Sequence, residues 1–307
     1  MAVGSRHNLS FIKEVTRGVT PASPELQVLR STGTTLGLSK NVNESKELRA
    51  DRQTSDVRHG TQRVGGDING ELSFGTYDDL IEAAFCGTWD TDVLKVGVAR
   101  RTFTLLRHFS DLAASAKPYH ALTGCEINTL TLAIRPEEIV TAAFGVVGKG
   151  QTTSATEPGS ATYLDATTAG VFDAFTGSLK EGGLTIGVIT EIDIALSNGI
   201  EPRYAVGSKD AAINEIKRSD VSGTITAYFE NSVLLDKFIN ETSSSIEFDL
   251  VDLAGNKYTF LLPNVKYTGG QPDVSDEGTI TLSMPFKALY DATEDTNIKL
   301  TREAASV

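Results

Sequence analysis

Tryptophan occurs once in this 307-residue chain, at Trp89, and methionine and cysteine occur twice each. Two thiols, Cys86 and Cys125, are too few for a disulfide framework, and both sit in apolar segments as small buried hydrophobes. The chain therefore reads as made in a reducing compartment. No apolar run approaches the roughly 20 residues that span a bilayer. Met1 to Lys13 lacks the apolar centre of a signal peptide, so neither an export leader nor membrane contact is expected. Basic residues are short as well: 28 Lys and Arg stand against 40 Asp and Glu, for a net charge of −12. Such a surface repels phosphates, which disfavours a grip on nucleic acid but lets DNA slide past without sticking.

The patterns of catalysis are missing too. The four histidines, His7, His59, His108 and His120, have no zinc-helix or zinc-finger spacing. Gly148-Lys149-Gly150 lacks the Ser or Thr that completes a phosphate loop, and no Gly-x-Ser-x-Gly elbow occurs. Asp273, Asp276 and Glu277 lack the alternation of a calcium loop and read as a solvated acidic loop. Arg100, Arg101, Phe103 and Arg107 read as an amphipathic strand with its basic positions outward rather than as a nucleic-acid surface. No catalytic group, cofactor or metal is expected.

What is present is β-pattern. Residues 1–24 are polar, end in a Pro-rich stretch and predict an extended arm outside the core. Alternation predicts strands at 26–29, 34–38, 66–74, 101–107, 126–134, 139–147, 173–180 and 184–197. Apolar residues at 77, 80, 81, 84 and 85 predict a helix with Thr76 as N-cap and acids in its first turn. Residues 40–65 are charged with few apolar positions, a long polar connection suited to contact with another copy. Residues 148–170, rich in Gly, Ser, Thr and Ala, predict a linker or exposed loop.

The chain also resembles itself. Asp67-Ile68-Asn69-Gly70-Glu71-Leu72 aligns with Asp220-Val221-Ser222-Gly223-Thr224-Ile225, and Leu80, Ile81 and Phe85 then meet Val233, Leu234 and Phe238. Leu38-Ser39-Lys40-Asn41 meets Leu196-Ser197-Asn198-Gly199, and the 127–147 hairpin meets 265–284 with Phe144 on Leu282. The expected core is Ile68, Leu72, Leu80, Ile81, Phe85, Val221, Ile225, Val233, Leu234 and Phe238. The fold class is mainly β, a sandwich or barrel with one short helix in each of two tandem similar modules.

These residues also carry a resemblance. Phe11-Ile12-Lys13-Glu14-Val15-Thr16-Arg17-Gly18-Val19-Thr20-Pro21 is similar to the opening of siphophage tail tube proteins. Glu47 to Gln53, Asp56-Val57-Arg58, Gly66 to Ser73 and Tyr77 to Ile81 resemble the central motif of that family. Phe172 to Gly177, Ile192-Asp193-Ile194 and Ser222 to Thr226 continue it. The resemblance implies a structural virion protein, not an enzyme, made in the bacterial host cytoplasm and built into the tail tube of a long non-contractile tail. It implies a long hairpin shared with neighbours in an inner β-barrel, stacked rings around the tape-measure protein, contacts with tail-tip and terminator proteins, and passage of DNA. The duplication favours three copies per ring with pseudo-sixfold symmetry over a hexamer. The expected divisions are an arm 1–24, a first tube module 25–150, a linker 151–172, a second module 173–292 and a tail 293–307. Glu47, Arg49, Asp51, Arg52, Asp56 and Arg58 are the expected contacts between subunits or rings. Alternatives on the same fold are a tail terminator, a baseplate ring or a secretion-type tube. A host carbohydrate-binding adhesin would need an aromatic platform, against which stands the single tryptophan.

Overall fold

Alternating apolar residues make the chain mainly β: among the described residues 52% is strand and 7% helix, in two helices, with no closed barrel. The computed structural model describes residues 2–174, 178–185, 189–274 and 277–305, without the side chain of Asp273. Met1, Phe175, Thr176, Gly177 and Asp276 lie outside them, as does the 186–188 part of the strand predicted at 184–197.

The first half runs β1 (His7–Lys13), β2 (Glu25–Leu29), β3 (Gly33–Thr34), β4 (Gly37–Glu44), β5 (Val57–Glu71), α1 (Asp78–Phe85), β6 (Val93–Lys95), β7 (Phe103–Phe109), β8 (Tyr119–Ile134), β9 (Thr141–Gly148), β10 (Gly150–Ser154) and β11 (Thr162–Leu164). The second runs β12 (Leu179–Glu181), β13 (Leu184–Thr185), β14 (Ile189–Ser197), β15 (Glu201–Tyr204), β16 (Ala211–Glu215), β17 (Asp220–Tyr228), α2 (Val233–Ile239), β18 (Ser244–Val251), β19 (Lys257–Tyr267), β20 (Gln271–Asp273), β21 (Thr281–Ala288) and β22 (Lys299–Glu303).

Long strands bend from one sheet into another. The first part of β8 pairs with β7 and β10, and its last part pairs with β9 and β14. In the same way β19 pairs first with β18 and β22, then with β21. Ile68, Leu72, Ile127, Leu130, Leu132 and Phe144 of the first half join Ile194, Val221, Ile225, Phe260, Met284 and Phe286 of the second in one contiguous apolar cluster. The repeated glycines have a steric cause. A β-carbon on Gly70 would strike the Tyr77 ring, and one on Gly223 would stand 2.2 Å from the Asp193 carbonyl oxygen and 2.6 Å from the Phe286 ring.

Several expectations need correction. The 40–65 connection is a hairpin: Gly37 to Lys40 and Val42 to Glu44 pair antiparallel with β5, leaving only 45–56 as its tip loop. Solvent bathes both of its faces, so no period-2 apolar signal marks it. The segment 1–24 holds a core strand, since β1 pairs with β2 and β7 and buries Leu9 and Phe11. Tyr77, not Thr76, stands at the start of α1, and the Thr76 hydroxyl is bonded to Ser73 and Thr167 instead. Val233 is 57% exposed, and Phe238 is only partly buried against the core. The stretch 148–170 carries β10, on β8, and β11, parallel to β2. Gly70 partners Ala142 and Gly223 partners Phe286, so the repeat continues with Ala142 on Phe286 rather than Phe144 on Leu282.

Candidate functional site

The structure offers no cleft of converging acids, bases and nucleophiles among the described residues; it offers a sheet with two unfinished ends. Read across its ladders, that sheet runs β4 (preceded by β3), β5, β9, β8, β14, β17, β21 and β20. The join between the halves is β8 on β14, six antiparallel pairs from Ile192–Ile134 to Ser197–Thr129. Among the described residues β3 and β4 pair only with β5, and β20 only with β21. Each end therefore presents a row of backbone donors and acceptors that a further strand can satisfy.

Side chains alternate across this sheet, so one face is packed and the other open. On the open face Asp67 stands opposite Gly145, Asn69 opposite Ala143 and Glu71 opposite Thr141. The row continues through Thr129, Thr131 and Ala133 of β8 to Ser197, Ala195 and Asp193 of β14. It ends in Asp220, Ser222, Thr224 and Thr226 of β17, facing Ser283, Pro285 and Lys287 of β21. Small polar and apolar residues dominate. Two of the basic groups there are held by carboxylates, Arg135 by Glu191 at 2.5 Å and Asp193 at 3.1 Å and Lys287 by Asp220 at 3.0 Å, while Lys266 of β19 stands opposite Lys287. Burial beside Glu191 raises the Asp193 carboxyl above the ordinary range, desolvation being the larger cause.

The arm is the hairpin of β4 and the first half of β5. Its six basic residues, Lys40, Lys46, Arg49, Arg52, Arg58 and Arg63, outnumber Glu44, Glu47, Asp51 and Asp56 within a chain of net charge −12. The structure puts Glu47, Arg49, Asp51, Arg52 and Asp56 in the tip loop and Arg58 next to it, all exposed. Arg49 binds Asp51 at 2.7 Å, and Arg58 lies 3.4 Å from Asp56. Arg52 takes a left-handed φ of 61°. Leu48 projects from the tip 99% exposed, and such an apolar side chain has no partner within the chain to justify it. A shorter hairpin, β15 with β16, rises from the second half. It meets the arm where Gln62 donates to the Lys209 carbonyl at 2.9 Å and to Asp210 at 2.6 Å.

Sequence reasoning missed the residues that weld the halves together. Asn198 is buried and donates to the Ala84 carbonyl at the end of α1 at 2.8 Å and to Ile127 at 3.3 Å. Glu126, 4% exposed in its side chain, takes Arg100 at 2.5 Å and accepts from Asn214 of β16 at 2.9 Å, with Arg17 at 3.6 Å. Arg302 of the C-terminal strand β22 reaches Asp78 of α1, sits 3.1 Å from Asp92 and lies 4.3 Å above the Trp89 ring. Next to it β22 pairs with β6. An isolated Asn or Arg in a β-pattern carries no sequence signal for such contacts. The open face did leave one, the Thr-Leu-Thr-Leu-Ala alternation of Thr129 to Ala133. A comparison with curated proteins finds no match. A family model described as phage tail tube protein matches residues 4–288.

Proposed function

The chain belongs to the phage tail tube protein family, a family of structural tail components, and from that premise we propose that its copies close into rings by joining the two unfinished ends of this sheet. The observation that carries the reading is the β8–β14 ladder. There the edge of the first half's sheet is completed by the second half. By the repeat, β3 and β4 correspond to β14, while the end of β19 with β20 corresponds to the end of β8. The same ladder therefore forms between β20 of one copy and the β3–β4 edge of the next. Two modules per chain give three chains and six similar lobes per ring.

In such a ring the curved sheet turns its open face to the lumen. That face combines small residues and free carboxylates with few cations, two of them neutralised, which supports a wall that DNA passes without adhering. The arm, slightly basic and tipped with Leu48, reaches the acidic surface of the neighbouring ring. Rings then stack into the hollow tube of a long non-contractile tail, around the tape-measure protein and between tail tip and terminator. Stacking is a head-to-tail contact, which extends a filament rather than closing it.

Electron microscopy of the purified protein, and of tails from infected cells, tests the reading. Hollow stacked rings of three chains with six lobes are the expected result. Six chains per ring, or single rings that never stack, would refute it.

A further inference from the structure

The two kinds of joint in such a ring are not built alike. Within the chain, α1 is covered: Leu80 to Phe85 are all buried. The segment after it folds back, with Gly97 donating to the Phe85 carbonyl at 3.1 Å and Arg101 pairing with Glu82 at 3.0 Å. It then carries β6 across the joint onto the outer edge of β22. The second half has no such strap. From α2 the chain passes through Asn240 to Ser243 directly into β18, and Val233 and Ile239 stand 57% and 62% exposed.

The counterpart of β22 lacks a second strand as well, among the described residues. Each follows the strand that closes the open-faced sheet, β10 after β9 and β22 after β21, and each pairs with the first part of the bent strand, β8 or β19. But β10 has β8 as its one ladder partner among the described residues, and its other side is met only by the base of the arm, where the Leu38 N–H donates to the Gln151 side chain at 3.0 Å. At its start Lys149 lies against Gly18 and makes no ion pair among the described residues, and Val19 close by is 55% exposed.

We infer that the bare flank of α2 is a lateral docking face for a second copy of this chain, and that it meets there the unpaired edge of that copy's β10. The inference rests on the ring reading and extends it. The occupant follows from the joint within the chain, where the helix and the strap behind it meet β22; one repeat further on, α2 faces β10. The chemistry agrees on both sides. Val233 and Ile239 offer apolar surface, with exposed Asp236 and Glu241 beside them. Across the joint stand Val19 and Lys149. This joint lacks the strap and the Arg302 clasp, so it is the weaker one, and rings come apart into single chains rather than between the halves of a chain.

Thiol labelling tests this directly, because Cys86 and Cys125 are both buried. Ile239→Cys places a reactive group on the flank. The expected result is fast labelling of the free chain and slowing by ~10-fold or more in assembled rings or tubes. A double variant, Val233→Asp with Ile239→Asp, should keep the thermal midpoint of the free chain, since both positions are exposed, yet fail to form rings. Labelling of the Ile239→Cys thiol in intact tubes as fast as in the free chain overturns the inference and leaves the ring reading standing. Rings formed by the double variant in wild-type yield do the same. A wild-type chain absent from isolated tail tubes removes the ring reading, and this inference with it.

Discussion

Replacing Arg302 by alanine removes the clasp between the C-terminal strand and α1, and its cost can be worked from the contacts. The guanidinium bonds to Asp78, which is 16% exposed in its side chain and also accepts from the Tyr258 hydroxyl. A charged hydrogen bond in such a site is worth about 1.5–3 kcal/mol. Asp92, 56% exposed, adds about 0.5 kcal/mol. Stacking over Trp89 adds about 0.5–1 kcal/mol. The expected loss is therefore roughly 2.5–4.5 kcal/mol. In a chain of this size that lowers the thermal midpoint by about 4–7 °C. Trp89 is the chain's one tryptophan, so its emission reports on this joint alone. Arg302→Ala should redden that emission before the global transition, as β22 lifts from β6. Asp92→Asn should move the midpoint by less than about 1 °C. An Arg302→Ala protein with wild-type midpoint and unchanged emission refutes the clasp.

Three further outcomes are expected. Gly223→Val drives a side chain into the Asp193 carbonyl and the Phe286 ring, so it should cost about 1–3 kcal/mol or more in chemical denaturation; an unchanged midpoint would show that the β17–β21 packing is looser than this. Burial first, and Arg107 next, lower the pKa values of His7 and His120 below 6.5, so the unfolded chain takes up protons that the folded chain resists. Stability from this source is whole above about pH 6.5 and falls as pH drops below it, and His7→Gln with His120→Gln should flatten the slope of midpoint against pH; an equal slope in the variant would put the titration elsewhere. Thr131→Lys with Ser222→Lys adds two cations to the open face, at the positions that flank Ala195; the chain should fold and the tubes form, but ejection should slow several-fold and recover with added salt. Ejection at the wild-type rate would mean that this face does not line the channel.

Much of the fold was legible because burial on one face leaves a period. Leu80, Ile81 and Phe85 marked α1, and Gly70 with Gly223 marked two strands that lie under aromatic rings. The arm left no period because neither of its faces is buried, so most of β4 and the first half of β5 read as a connection. The third block of the repeat slid in sequence because β8 is one continuous strand while its counterpart is broken between Tyr267 and Gln271, where Gly269 and Gly270 interrupt it. Val233 kept the spacing of a core residue but lost its cover, since no segment corresponding to 87–101 follows α2. Periodicity records what a strand or helix is shaped to bury. It does not record whether the chain itself supplies the cover, and the surfaces where the two differ are those left for assembly.

The fusion of two halves then has a physical consequence on the proposed reading. A ring of six separate lobes needs six lateral encounters, each opposed by the entropy of association. With β8 joined to β14 inside one chain, alternate joints form during folding at the high effective concentration of a tether. The remaining joints must still form between chains, and they are the ones without a strap. Duplication also frees the two halves from equivalence. The first raises a long arm from Gly37 with its tip at 45–56, while the second raises only the short β15–β16 hairpin, which props the arm at Gln62. A ring of identical lobes would project six like arms. A ring of three such chains projects three, each seated on its own buttress. Shortening the 45–56 loop should therefore leave ring closure intact and abolish stacking, because the two contacts are carried by different elements: the sheet edges and α2 for the ring, the arm for the stack. Loss of both contacts together in that variant would show the arm to be part of the ring joint instead.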